Sequence, residues 1–176
     1  MPKTRRMHSK KGTRKNRVIG NNNKNNKNNK NNKNNKNNKN NKNNNNSLQK
    51  FEQEVVVKFL EMLNLIKLYH WKTHSYATHK ATDDLNTKLS ANVDSFVEVL
   101  LGKRGDRVNL LHKKYISLTD FDSVEGFKRE MEKYKGYLVG LDNCAALKSM
   151  SNSDLYNIRD EMLSNINQFL YLLTFK

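Results

Sequence analysis

Three histidines crowd the segment Tyr69-His70-Trp71-Lys72-Thr73-His74-Ser75-Tyr76-Ala77-Thr78-His79, and three carboxylates, Asp83, Asp94 and Glu98, follow it. Imidazole and carboxylate make a mixed nitrogen and oxygen donor set suited to Fe(II), Mn(II) or Zn(II), with no thiolate to select a softer metal. At about 100° per residue, with Asp83 at zero, His79 falls near −40°, Asp94 near +20° and Glu98 near +60°, so the four share one stripe of a helix. Leu85, Leu89, Val93, Phe96, Val97 and Leu100 take the span from about 200° to 320° on the same wheel. The ionisable stripe therefore flanks an apolar face. A carboxylate placed there, partly desolvated between two helices or two subunits, needs a cation to stay charged. His70 lies about 40° from Ile66, at the edge of the apolar face of the preceding helix. Taken one at a time, each His could be a satisfied core or surface residue, and Asp94 and Glu98 could pair with Lys or Arg. Their joint spacing is what favours a site.

The elements that must position these residues are helical. The only Pro is Pro2, and from Ser47 onward apolar residues recur every three or four positions. Helix A is expected from Ser47 as N-cap, with Leu48, Phe51, Val55, Phe59, Met62, Ile66 and Tyr69 on its inner face. Helix B runs from about Thr78 to Leu101, where Gly102 can stop it. Helix C follows a capping box of Asp122 and Glu125 and carries Phe127, Met131, Tyr134, Leu138, Leu141 and Ala145. Helix D starts with Ser151 and Asp154 and carries Leu155, Ile158, Met162, Ile166, Phe169 and Leu173. Short links make A–B and C–D antiparallel hairpins, and the segment Gly102 to Phe121 is long enough to traverse a helix between them. Asp106 to Tyr115 reads as a short helix inside that crossover. The expectation is an all-α, ferritin-like four-helix bundle of two antiparallel hairpins joined by a long crossover.

Charge divides the chain. Of 33 Lys and Arg, 15 lie in residues 1–46, which contain no acid, so the net charge of +16 is a +15 arm and a nearly neutral domain over residues 47–176. The arm offers almost nothing to bury and is expected to be disordered. Its first 20 residues supply Lys3, Arg5, Arg6, Lys10, Lys11, Arg14, Lys15 and Arg17 as counter-charges for nucleic acid, a sequence-independent and salt-sensitive affinity. The Asn-Asn-Lys repeat that follows can also be read as a low-complexity spacer. Lone Cys144 excludes a disulfide framework within the chain and a cysteine zinc module. No apolar run approaches a membrane span, and no secretory signal is readable, so an intracellular location is expected. Arg104-Gly105-Asp106 spells an adhesion tripeptide, read here as chance.

His70-Trp71 followed by His79-xxx-Asp83, ten residues and Asp94-xxx-Glu98 resembles the ferroxidase signature of the Dps-like mini-ferritins, DNA-binding proteins from starved cells. The His70 to His79 interval is shorter than the family's, and Lys72-Thr73-His74-Ser75-Tyr76 replaces its Gly-containing loop, so His74 stands as an alternative ligand. The combination is also similar to ferritin-like proteins of large DNA viruses and phages. The resemblance implies a hollow homo-oligomer, typically a dodecamer, with metal sites at twofold interfaces. His70, His79 and Asp83 would come from one subunit and Asp94 and Glu98 from its neighbour. Iron would be oxidised there by peroxide or O₂, with Trp71 close enough to intercept radicals, while the basic arm holds DNA. The competing expectation is a nucleic-acid-binding or virion structural protein on the same bundle, without redox chemistry. The cell compartment would be host cytoplasm or nucleus, or the protein would be packaged in a virion.

Overall fold

A computed structural model describes residues 25–175 and places four long helices, α1 (Asn25–Lys72), α2 (Tyr76–Arg104), α3 (Val124–Gly140) and α5 (Ser153–Leu172). A single-turn helix, α4 (Ala145–Lys148), lies between the last two. The chain divides into two units, Met1–Lys39 and Asn40–Lys176. The basic residues Lys3, Arg5, Arg6, Lys10, Lys11, Arg14, Lys15 and Arg17 lie outside the described residues. Helix α1 starts far upstream of Ser47, so the later part of the arm is helical where disorder was expected. The tract contains neither Gly nor Pro after Gly20, and lengthening an existing helix gains a hydrogen bond per residue without a new nucleation cost.

Within the second unit one core joins all four long helices. Phe59, Met62 and Ile66 of α1, Leu89, Phe96 and Leu100 of α2, Phe127 and Met131 of α3, and Leu155, Met162 and Ile166 of α5 are essentially inaccessible. Phe59 meets Phe96 edge to face at 5.3 Å, and Tyr69 stacks on Phe127 at 4.2 Å. The helix order follows from cross-contacts. Asn165 donates to Asn92 and Lys88 to Gln168, while Lys103 pairs with Asp154, so α2 and α5 run antiparallel. Tyr69 against Phe127 and Lys58 over the Tyr134 ring set α1 antiparallel to α3.

Helix α2 ends and α3 begins at opposite ends of the bundle, and the connection between them runs along α1. Gln53 Nε2 donates to Asn109 O (2.9 Å), Ser117 N to Glu61 Oε1 (3.3 Å), and Lys72 Nζ to Asp120 Oδ2 (2.7 Å). The helix expected over Asp106 to Tyr115 does not form. Gly105 ends α2 in the left-handed region at φ 67°, and the Asp106 and Asn109 side chains take the amides of Arg107 and Leu111. Such local bonds hold the backbone in turns instead of a helix.

Helix ends shift by a few residues from the sequence expectation, each for a visible reason. Gly102 lies inside α2, and Gly105 stops it. Asp122 is held by Lys72 at 2.7 Å, so Ser123 caps α3 by accepting from Gly126 N. A Cβ on Gly126 would stand 2.7 Å from Phe121 Cδ1, which keeps this entry free of a side chain. Helix α3 gives way at Gly140 to a 3₁₀ turn, Leu141–Asn143, so Ala145 belongs to α4 and not to α3. Ser151 does not cap α5; its carbonyl accepts from Lys103, and Asn152 donates back to Leu147 O.

Lys103 beside Asp154 holds that carboxyl below the usual carboxylate range. With the folded value depressed, its contribution is present above the ordinary value of about 4 and is lost as pH falls through the folded value. Asp154→Asn should therefore flatten the acid limb of a stability profile, leaving the curve above about pH 6 parallel to the parent in urea melts.

Candidate metal centre

Helix α1 is pinned at its last turn, where Ile66 is fully buried and Tyr69 stacks on Phe127, and this fixes His70 at 7 % exposure. The link to α2 is three residues long and closed at both sides. Thr73 N donates to Tyr69 O, Ser75 N to Thr73 Oγ1, and Ser75 Oγ caps α2 by accepting from Thr78 N. So tight a turn brings the end of α1 against the first turn of α2, and His70 meets His79 across it.

The two imidazoles stack with centroids 3.9 Å apart and planes inclined by 24°. Each ring bonds the other residue's backbone: His70 Nδ1 lies 3.0 Å from His79 O, and His79 Nδ1 lies 3.0 Å from His70 O. A carbonyl oxygen only accepts, so Nδ1 is the donor in both rings, and the neutral form of each imidazole then carries its lone pair on Nε2. Thr82, wholly buried, reinforces this choice. Its hydroxyl lies 2.8 Å from Thr78 O and 2.9 Å from His79 O as donor, and 3.2 Å from His70 Nδ1, for which it is a further acceptor. Metal-bound histidines are held in this way, with the non-ligating nitrogen donating to a carbonyl or another oxygen.

Asp83 stands beside the pair, its side chain about half exposed at 48 %, with Oδ1 3.9 Å from His70 Nε2. The same oxygen is 3.8 Å from Lys67 Nζ, and Lys67 also lies over the Trp71 ring at 5.8 Å from its centroid. Asp94 and Glu98 lie on the exposed side of α2, one turn apart and about 16 Å or more along the helix from Asp83. Within one chain they do not reach the histidines. Among the described residues no group of three or more His, Cys, Asp or Glu gathers tightly enough to hold a metal ion. His74 is exposed in the turn, and it is His79 that meets His70. Trp71 is 69 % exposed.

In chemical type the donors, two imidazoles and a neighbouring carboxylate, are those of an N/O-seeking divalent metal, but within the described residues the three do not gather tightly enough to hold one by themselves. Thr82 and Lys67 were not singled out from the sequence. Thr82 sits three residues before Leu85, on the apolar face of α2, where a hydroxyl must find a partner. Lys67 precedes Trp71 by four and thus shares its helix face.

No helix among the described residues is long and apolar enough to cross a membrane. No curated protein and no solved structure matches the chain. Residues 70–173, which begin at His70 and run through α2, the crossover, α3, α4 and α5, match the family of unknown function DUF5856, and the chain belongs to that family.

Proposed function

We propose that this protein is a ferritin-like, iron-handling protein that binds Fe(II) through His70, His79 and Asp83, oxidises it, and holds nucleic acid through its basic arm. The observation that carries this reading is the reciprocal bonding of the two histidines, which directs two Nε2 lone pairs away from the backbone. The helix order supports it as well, since two hairpins joined by a lengthwise crossover is the ferritin-like arrangement. Asp94 and Glu98 are exposed and one turn apart, so a second copy of the chain can bring them to the histidines and complete the ligand set. In such a site each Fe(II) gives up one electron, and peroxide takes two electrons and two protons and leaves as water. The assembly would be a homo-oligomer, a dodecamer by the mini-ferritin resemblance, and Trp71 would lie near the reacting iron.

Anaerobic Fe(II) titration followed by peroxide tests this. Stoichiometric binding and a fast oxidation phase that disappears in Asp94→Ala/Glu98→Ala are expected; absence of both would sink the proposal. A second reading has one observation in its favour: Lys67 already supplies Asp83 with a cation at 3.8 Å. In that reading the bundle is a scaffold for a nucleic-acid-binding or virion structural protein. The same titration would then be silent while salt-sensitive DNA binding persists. Under either reading, deleting residues 1–46 removes that DNA binding.

A further inference from the structure

The crossover is fastened to α1 by Gln53 at Asn109 and again by Glu61 at Ser117, and between these two points it arches away from the helix. Beneath the arch lies a hollow of about 490 Å³, within the range of small-molecule sites. Val57, Leu110 and the Tyr137 ring give it apolar walls. Its two carboxylates are already engaged: Glu54 faces Lys50 at 3.8 Å, and Glu61 takes Lys58 at 3.2 Å as well as the Ser117 amide. Lys113, carried by the arch, makes no ion pair among the described residues, and His112 stands next to it on the lining. After internal pairing the hollow is left with Lys113 as a cation without an ion-pair partner among the described residues, and with apolar surface from Val57, Leu110 and Tyr137.

From this arrangement we infer that the hollow between α1 and the crossover binds a small organic anion with a flat apolar body, its charged group at Lys113 and its body between Val57, Leu110 and Tyr137. Burial, with Cys144 and Glu54 nearby, pushes the Tyr137 phenol up, so it stays a neutral hydrogen-bond donor at physiological pH. The phenol forms no hydrogen bond to another described residue, which leaves it available to the ligand. The site lies about 20 Å along α1 from His70 and is independent of the metal chemistry.

The test uses the full chain and 2-naphthoate as probe, by calorimetry at physiological salt. Lys113→Glu and Leu110→Trp are each expected to weaken binding by about tenfold or more, the first by removing a charged partner and the second by filling the space. Both residues lie on the crossover and outside the buried core, so the fold is retained. The uncharged isostere 2-naphthol should bind about tenfold more weakly than the acid, and Lys36→Glu in the arm should leave the affinity unchanged. Absence of naphthoate binding at millimolar concentration would overturn the inference. So would equal affinity for 2-naphthol, unchanged affinity in both crossover variants, or loss of binding in the arm variant.

Discussion

Glu52→Ala is expected to destabilise the bundle by about 3–5 kcal/mol, the cost of leaving one member of a buried ion pair without its partner. Glu52 is 1 % exposed and bonds Arg104, whose side chain is only 12 % exposed and whose second partner, Asp106, lies on the surface. Truncating the acid removes the main counter-charge of a guanidinium that water barely reaches. The pair itself is another matter. Burying both charges costs several kcal/mol per ion before their attraction offsets it, so Glu52→Leu with Arg104→Met should recover most of the loss. Urea unfolding at fixed chain concentration measures both, with the midpoint moving at constant slope. A loss below about 1 kcal/mol for Glu52→Ala would mean that the pair behaves as a solvated surface bridge.

The second large effect concerns the histidines. Zn(II) is a redox-silent probe of the proposed metal site, and under that proposal His79→Ala should weaken its binding more than about 100-fold, beyond the 10–100-fold typical of changes around the ligands. Thr82→Val keeps the volume but removes the acceptor facing His70 Nδ1, and it falls in that range, while Thr82→Ser stays near the parent. Nitrogen-15 NMR of the imidazoles supplies a readout that packing alone would not move. Both rings should report the Nδ1–H form in the parent, and in the Val variant the His70 Nδ1 resonance should shift as that N–H loses one of its two acceptors and keeps the His79 carbonyl. Equal Zn(II) affinity in His79→Ala and the parent would remove His79 from the ligand set.

Apolar spacing alone located the inner faces of all four helices, because residues such as Phe59, Leu89, Met131 and Ile166 recur at the helical period and are indeed buried. The lengths of the links likewise implied two hairpins and a crossover. Helix ends were less legible. Ser47, Asp122 and Ser151 have capping side chains, but a cap is decided by which competing bond the residue already makes. Lys72 occupies Asp122, and nothing terminates α1 at Ser47. The crossover helix failed for the same kind of reason, as Asp106 and Asn109 bond their own neighbours.

In the site, the pairing of His70 with His79 depends on the turn geometry of Thr73 and Ser75, which spacing does not encode. Charged and polar residues on core faces are a further signal in the sequence. Glu52 precedes Phe59 by seven, Arg104 follows Leu100 by four, and Arg159 follows Leu155 by four, so each occupies an apolar stripe and must find a partner inside. The structure supplies Arg104 to Glu52, and Asp142 at 2.7 Å to Arg159.

The lengthwise course of the crossover constrains how the sequence can change. Because α2 finishes at the end of the bundle opposite to the start of α3, no short loop can join them and keep the present packing. Residues can be added to the arch near Leu111 at small entropic cost. Removing several of them would leave α3 and α5 unable to reach their own α1 and α2. The remaining way to bury the same apolar faces would be to lend that hairpin to another copy, which makes crossover length a setting between a self-contained protomer and a domain-swapped pair.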